Sequence, residues 1–220
     1  MWLKKNWIYG LLLISGVLAL MALMTSNFLY KSGTAGMGII IILLLHFKKV
    51  KPTKDSWLII GAFIFSIAGD WFLTNKDGDP ILFTKGIAMF FLAHVGYLMF
   101  AKMNGQVKWK FTSILLAAYL VYFFLMLYPA ISDKVLLFAS LVYLLVSCFS
   151  LGASVGIKGD PVMKWAYVFG IFLILFSDTI ISLSEFLGDD RFDFMILPTY
   201  YLAHISITLS LIRKMEIKSA

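Results

Sequence analysis

The chain consists almost entirely of long apolar segments separated by short polar stretches. Hydrophobic residues make up 61% of its 220 residues, and charged residues make up only 14%. A water-soluble core of this size cannot bury so much apolar surface, whereas the hydrocarbon core of a bilayer accommodates it. The sequence therefore predicts an all-α, polytopic membrane protein, folded as a single transmembrane helical domain over residues 1–220.

Eight segments are apolar enough to predict membrane-spanning helices. The second and the eighth are short, but each ends at a clear polar break. The first follows two lysines and lacks a small-x-small cleavage site, so we interpret it as a retained anchor and not as a signal peptide. The eight segments cover residues 7–29, 32–47, 56–74, 82–101, 111–128, 134–155, 163–184 and 196–212.

The basic residues predict the orientation of the bundle, because short cytoplasmic loops retain Lys and Arg. Both termini are predicted to be cytoplasmic, in the inner membrane if the source is bacterial. The net charge of +7 then reflects basic inner loops and gives no reason to predict nucleic-acid binding. With this orientation, 14 of the 19 basic residues lie inside: Lys4, Lys5, Lys48, Lys49, Lys51, Lys54, Lys102, Lys108, Lys110, Lys158, Lys164, Arg213, Lys214 and Lys218. The outer loops hold Lys31, Lys76, Lys85, Lys134 and Arg191.

Two aspartates lie inside predicted membrane helices. Asp70 is in the third segment and Asp178 is in the seventh. A charged group at the bilayer centre costs about 2.5–3.5 kcal/mol on insertion scales, so such a residue normally faces protein or water and has a function. Both helices run from inside to outside in the predicted orientation, and we expect both carboxyls about 6–10 Å below the outer interface.

A histidine follows each aspartate, and both histidines end the same tripeptide, Leu-Ala-His. His94 lies 24 positions after Asp70, and His204 lies 26 positions after Asp178. A repeat of four spans preserves orientation, so the pattern predicts two parallel four-helix halves related by a pseudo-twofold axis along the membrane normal. Both Asp-His sets are then expected around one central cavity. Chance agreement or ordinary helix-packing preferences remain an alternative explanation for so short a repeat.

Further polar residues share helix faces with the aspartates and histidines or adjoin them. The hydroxyls could instead bond to their own helix backbone, and the tyrosines could instead belong to an interfacial belt. Lys85 is expected at the outer start of the fourth helix, where it either snorkels to headgroups or binds an anionic lipid phosphate. The candidate site residues besides Asp70 and Asp178 are Ser66, Lys85, His94, Tyr97, Ser177, Tyr200, Tyr201 and His204.

In their order along the chain, these residues resemble the YhhN-type lysoplasmalogenases. The resemblance extends over almost the whole chain and rests on Gly69-Asp70, Gly86, Phe90, His94, Tyr97 and Ser177-Asp178. It implies hydrolysis of the vinyl ether bond of lysoplasmalogens to a fatty aldehyde and glycerophosphoethanolamine or glycerophosphocholine. It also implies that Asp70 and Asp178 are the family's two acidic positions. His204 departs from the pattern, because glutamine is expected at its position in many relatives.

Vinyl ether hydrolysis needs an acid that protonates the β-carbon and a carboxylate that stabilises the oxocarbenium ion and activates water. Two carboxyls that share a cavity can divide these tasks. We prefer Asp178 as the acid and Asp70 as the base, and we expect His94 to orient a carboxyl or a water. The chemistry requires no cofactor and no metal. The expected partners are a lysophospholipid substrate and membrane lipids, and the oligomeric state is left open.

A proton-coupled transporter is the main alternative, because it would use the same buried aspartates and histidines. An intramembrane aspartyl protease is disfavoured because the sequence around Asp70 lacks the fuller glycine-aspartate pattern and no partner Pro-Ala-Leu motif is present. A zinc hydrolase is disfavoured because His46 is expected at the opposite end of the bundle from the other histidines. A ligand-binding or purely structural membrane protein is the least specific alternative.

Overall fold

The computed structural model describes residues 7–25, 27–47 and 54–217, and these residues form helices joined by short turns. The all-α prediction is therefore confirmed for this part of the chain. Lys4, Lys5, Lys48, Lys49, Lys51 and Lys218, which contributed to the predicted orientation, lie outside the described residues. The helices are α1 (Trp7–Thr25), α2 (Phe28–Lys31), α3 (Gly33–Phe47), α4 (Ser56–Thr74), α5 (Pro80–Asn104), α6 (Trp109–Tyr122), α7 (Tyr128–Ala130), α8 (Lys134–Ser154), α9 (Pro161–Leu187) and α10 (Ile196–Ile217).

Seven spans in the described ranges are long and apolar enough to cross a membrane. The predicted second span is α3, which has only 15 residues. At 1.5 Å per residue it is about 22 Å long, shorter than the hydrocarbon core of about 30 Å. The described part of the chain thus has seven full-length candidate spans and one short apolar helix where eight spans were predicted, which is consistent with an integral, multi-pass membrane protein.

The helix boundaries differ from the predicted segments for local reasons. The first segment was predicted to continue to residue 29, but α1 ends at Thr25 and a separate helix, α2, begins at Phe28. Asn27 caps α2 by accepting a hydrogen bond from the Leu29 amide. Asparagine is a preferred residue at this capping position, so it favours the start of a new helix. The break puts Lys31 at the last position of α2.

Aspartate caps fix the first residue of three other helices. Two of these helices begin earlier than the sequence predicted. Asp79 caps α5, Asp133 caps α8 and Asp160 caps α9, each accepting a hydrogen bond from an amide of the first turn. Pro80 and Pro161 follow two of these caps, at a position where proline's missing N–H costs nothing. The predicted starts at residues 82 and 163 are therefore two residues late.

The helices pack in corresponding pairs, as expected for two four-helix halves, although α6 departs from the symmetry. α1 also packs on α10, whereas within the described ranges α6 makes no comparable contact with α5. A gap beside α6 results, and one of the cavities described below occupies it. The corresponding contacts are α1–α3 and α6–α8, α3–α4 and α8–α9, α4–α5 and α9–α10, and α5–α8 and α10–α3.

Glycines allow the paired helices to approach closely. A Cβ atom added at Gly96 of α5 would lie 2.9 Å from the Leu58 carbonyl oxygen of α4. A Cβ atom added at Gly170 of α9 would lie 2.9 Å from the Ala203 carbonyl oxygen of α10. Small residues at such contacts are the usual means by which membrane helices pack, since the bilayer offers little hydrophobic gain for their association.

A buried polar cluster joins three helices at the end that is predicted to be cytoplasmic. Lys214 of α10 forms an ion pair with Asp55, which precedes α4, and both residues are only 5% exposed. Lys214 also donates to the Asn104 side-chain oxygen at 2.6 Å, and the Asn104 amide nitrogen donates to Asp55 at 2.7 Å. Because each buried charge has partners, the cluster can hold α4, α5 and α10 together at this end.

We expect Gly96→Ala to lower the stability of the purified protein by about 1–3 kcal/mol, because the new methyl group meets backbone that cannot rotate away. Gly61→Ala on α4 is the matched control, since nothing lies within 4 Å of a Cβ atom there. Thermal unfolding in detergent, followed by intrinsic fluorescence, compares the two. The control should unfold at the wild-type temperature or slightly above it. Equal unfolding temperatures for the two variants would contradict the packing described.

Candidate active site

The Asp178 carboxyl is bound by side chains from two neighbouring helices. The Tyr143 hydroxyl of α8 donates to Asp178 Oδ2 at 2.5 Å, which is short for a hydrogen bond between oxygens. His94 Nε2 of α5 lies 3.3 Å from the same oxygen. His94 is 1% exposed and the Asp178 side chain 13%, so the carboxyl is largely buried but still reaches a cavity. Because both contacts are made to Oδ2, Oδ1 is the oxygen left for a ligand.

The repeat predicts equivalent roles for His94 and His204, but the two histidines have different partners. His94 of the first half contacts Asp178 of the second, so this contact crosses between the halves. His204 Nδ1 lies 2.9 Å from the Tyr200 carbonyl oxygen of its own helix, and its ring packs edge-on against the Tyr200 ring. No hydrogen bond joins His204 to either aspartate in the described structure. His204 therefore positions Tyr200 and is not a direct partner of a carboxyl.

Asp70 has a less extensive set of partners than Asp178. The Tyr200 hydroxyl of α10 donates to Asp70 Oδ2 at 3.1 Å. The Tyr200 ring also packs edge-on against Phe90 of α5, with ring centroids 6.1 Å apart. Tyr200, one of the tyrosines selected from the sequence, thus contacts one of the two aspartates directly.

Four of the remaining predicted residues have structural roles or lie away from the cavities. The Ser66 and Tyr97 hydroxyls are 3.3 Å apart in the core between α4 and α5. Ser177 donates to the Ile196 carbonyl oxygen at 3.1 Å and so fastens α9 to the start of α10. Lys85 is exposed and lines neither of the cavities at the aspartates, because its position on α5 turns it outward.

Two neighbouring open cavities reach the aspartates, where the sequence predicted a single central one. The first, the apolar cavity, lies between α5, α6, α8 and α9 and covers about 680 Å³, part of it open to the outside; its lining is apolar apart from Asp178 and a few hydroxyl groups. The second, the polar cavity, is named for the charged residues Asp70 and Lys31 that line it, and it covers about 550 Å³, part of it open to the outside. The two cavities share three lining residues: Leu73, Phe90 and Ile181.

Two glycines make room for this shared wall. A Cβ atom at Gly69 would lie 2.8 Å from the Phe90 ring, and a Cβ atom at Gly86 would lie 2.9 Å from Leu73 Cδ2. Only glycine at these positions lets Phe90 and Leu73 lie where they do. The one-cavity prediction is thus corrected: bulky side chains opposite glycines divide the space between the aspartates into two adjoining cavities.

Helix α6 forms a separate wall of the apolar cavity. Tyr119 bonds to Thr179 and Tyr122 bonds to Ser182, each at 2.8 Å, which fixes α6 against α9. Directly after these tyrosines the helix widens into a π-helical turn, Phe123–Leu127. Such turns are rare and often occur at functional sites, because the extra residue redirects the side chains around it. Here the turn ends at Leu127, which lines the cavity.

A family model described as the YhhN family matches residues 30–211. The chain belongs to the YhhN family. Comparisons with curated proteins and with solved structures found no match. The matched range of this YhhN protein includes every residue that lines the two cavities. The predicted resemblance to the YhhN-type family is therefore confirmed, and the roles of Asp70, His94 and Asp178 stay predictions.

Two site residues of the YhhN protein escaped the sequence analysis. Tyr143 lies near the middle of the predicted segment 134–155. Because tyrosines in membrane helices are enriched at the interface, this central position could have indicated a functional tyrosine. Lys31 was assigned only to an outer loop, because its position in a cavity depends on the break at Asn27 and on the packing of α2. Among the described residues, no group of three or more His, Cys, Asp or Glu side chains is arranged to bind a metal ion.

We expect Tyr143→Phe to destabilise the YhhN protein by about 1–3 kcal/mol, since it leaves a buried carboxyl oxygen with one weak partner. Tyr119→Phe is the matched control, because it removes a hydroxyl from the same cavity while Thr179 keeps its bond to the Leu175 carbonyl oxygen. The control should cost less than about 1 kcal/mol. Thermal unfolding in detergent measures both, and an equal or larger loss for Tyr119→Phe would contradict the role given to Tyr143.

Proposed function

We propose that this YhhN protein hydrolyses the vinyl ether bond of lysoplasmalogens, releasing a fatty aldehyde and glycerophosphoethanolamine or glycerophosphocholine. Family membership supports a lysoplasmalogenase-like function. The observation that carries the proposal is the pair of adjoining cavities, one apolar and one polar, each lined by one of the two membrane aspartates. An amphiphile with a single hydrocarbon chain matches this arrangement.

The substrate is proposed to lie with its chain in the apolar cavity and its headgroup in the polar cavity. The vinyl ether, which joins chain to glycerol, then lies beside Leu73, Phe90 and Ile181, where the cavities meet. Asp178 faces this bond from the chain side and Asp70 faces it from the headgroup side. The polar cavity includes Thr74, the last residue of α4, at the end of the bundle that is predicted to face outward. A lipid in the outer leaflet would thus keep its headgroup near the interface.

In the proposed first step, Asp178 donates a proton from Oδ1 to the β-carbon of the vinyl ether. The carbon–carbon π electrons form the new C–H bond, and an oxocarbenium ion remains on the α-carbon and the ether oxygen. Tyr143 and His94 hold Asp178 Oδ2 and so orient the carboxyl, while also stabilising the carboxylate that the step leaves behind. General acid catalysis of this kind typically contributes about 10²–10⁴-fold to a rate.

In the second step, a water molecule attacks the α-carbon and gives its proton to the Asp70 carboxylate, which forms a hemiacetal. The hemiacetal then collapses: its hydroxyl proton goes to Asp178, a carbonyl group forms, and the bond to the glycerol oxygen breaks. The glycerol oxygen takes the proton held by Asp70. Both carboxyls return to their starting states, one water is consumed, and no cofactor is needed.

The purified protein should release aldehyde from lysoplasmenylethanolamine and none from the matching saturated alkyl-ether lipid, because only the vinyl ether can be protonated at carbon. Asp70→Asn and Asp178→Asn should each lower kcat by at least about 100-fold. Asp133→Asn is the control: Asp133 is an exposed helix cap lining neither cavity, and asparagine caps a helix equally well.

Aldehyde release is measured with a coupled aldehyde dehydrogenase assay. Full activity in either cavity variant would remove that aspartate from the mechanism. Lipid uptake into proteoliposomes without any aldehyde would contradict the hydrolase and identify the transporter alternative.

A further inference from the structure

Lys31 is a cation that lines the Asp70 cavity without an ion-pair partner in the part of the chain that the structure describes. Two other lysines, by contrast, form ion pairs: Lys76 with Glu185, and Lys214 with Asp55. An ammonium group beside an open cavity can accept an anionic ligand without first breaking a bond within the protein. The mechanism proposed above assigns no task to this charge.

Tyr201 provides a second, independent feature of the same cavity. Its side chain is only 1% exposed and lines the cavity, yet its hydroxyl has no hydrogen-bond partner among the described residues. Buried hydroxyls are nearly always bonded, because an unmet donor in a protein interior is costly. A ligand that supplies an acceptor oxygen in this cavity would satisfy the Tyr201 hydroxyl.

We propose that Lys31 and the Tyr201 hydroxyl bind the phosphate of a lysophospholipid headgroup; this inference rests on the proposed function and assigns the headgroup end of the same site. Phosphate oxygens accept strong hydrogen bonds, and lysine binds them as a point charge. When Asp70 is ionised, its negative charge repels a phosphate. We therefore expect the phosphate at the Lys31 side of the cavity. The glycerol and its ether bond are thereby left next to Asp70 and the shared wall.

The first test compares two substrates that differ in the phosphate. Lys31→Gln should raise KM for lysoplasmenylethanolamine about tenfold or more, with kcat within about twofold of wild type, since it removes a charge-assisted bond that is made equally in the bound and reacting states. For a 1-alkenylglycerol, which lacks the phosphate, KM should not change. Lys31→Arg should restore most of the affinity. The control Lys134→Gln, an exposed lysine at the same predicted face, should behave as wild type.

Tyr201→Phe separates ligand binding from a structural role of the hydroxyl. It should raise KM for lysoplasmenylethanolamine by about three- to tenfold, without lowering the unfolding temperature of the free protein, because the lost hydroxyl has no protein partner. If KM is unchanged and the variant is more stable, the Tyr201 hydroxyl has no hydrogen-bond partner in the substrate complex either. That result would remove Tyr201 from the proposed phosphate site.

A binding measurement with a lipid that cannot be hydrolysed tests the phosphate site separately from the proposed hydrolase activity. A saturated alkyl-ether lysophospholipid should raise the unfolding temperature of wild type, and Lys31→Gln should reduce that shift. This result supports the phosphate site even if no vinyl ether is hydrolysed. The headgroup assignment is overturned if inorganic phosphate alone gives the same Lys31-dependent shift. It is also overturned if Lys31→Gln raises KM equally for both vinyl ethers or leaves lipid binding unchanged.

Discussion

A carboxyl group inside a membrane bundle must be supplied with hydrogen bonds by the surrounding helices, since lipid offers none. Asp178 on α9 meets this requirement through Tyr143 on α8 and His94 on α5, so one side chain brings three helices together. The contact between α5 and α8 also joins the two halves of the bundle. Both partners bind Oδ2, so the interactions that compensate the burial of Asp178 do not occupy its other oxygen, and the residue lines the apolar cavity. The contacts of Tyr143 and His94 therefore stabilise the buried carboxyl and also leave one of its oxygens without these partners.

The glycines near the aspartates have a related role. Gly69 and Gly86 lack side chains where Phe90 and Leu73 must lie, and these two apolar groups separate an apolar cavity from a polar one. The division suits an amphiphile whose two ends differ in polarity and whose reactive bond lies between them. At the opposite end of the bundle, the buried Asp55–Lys214 pair, with Asn104, ties α4, α5 and α10 together, away from the end where the proposed lipid substrate would enter.

The sequence was most informative where a residue conflicts with its surroundings. Apolar segments located the helices, and Asp70, Asp178 and His94 stood out because charge and imidazole are costly in a bilayer; all three lie at the cavities or contact a residue there. Tyr143 and Lys31 are compatible with many positions, so only tertiary packing reveals their roles. The short repeat predicted equivalent histidines, yet His204 bonds to its own helix. The division into two cavities depends on contacts between α4 and α5 that periodicity does not encode.

The central claim is that one lipid molecule occupies both cavities, with its ether bond between the two aspartates. The most direct measurement is an experimental structure of the protein with a saturated alkyl-ether lysophospholipid, which has the substrate's shape but lacks the double bond. The account predicts the chain beside Tyr143 and Asp178, the ether oxygen next to Phe90, and the phosphate at Lys31. A chain bound on the outer surface of the bundle, or a lipid that reaches only one aspartate, would contradict it.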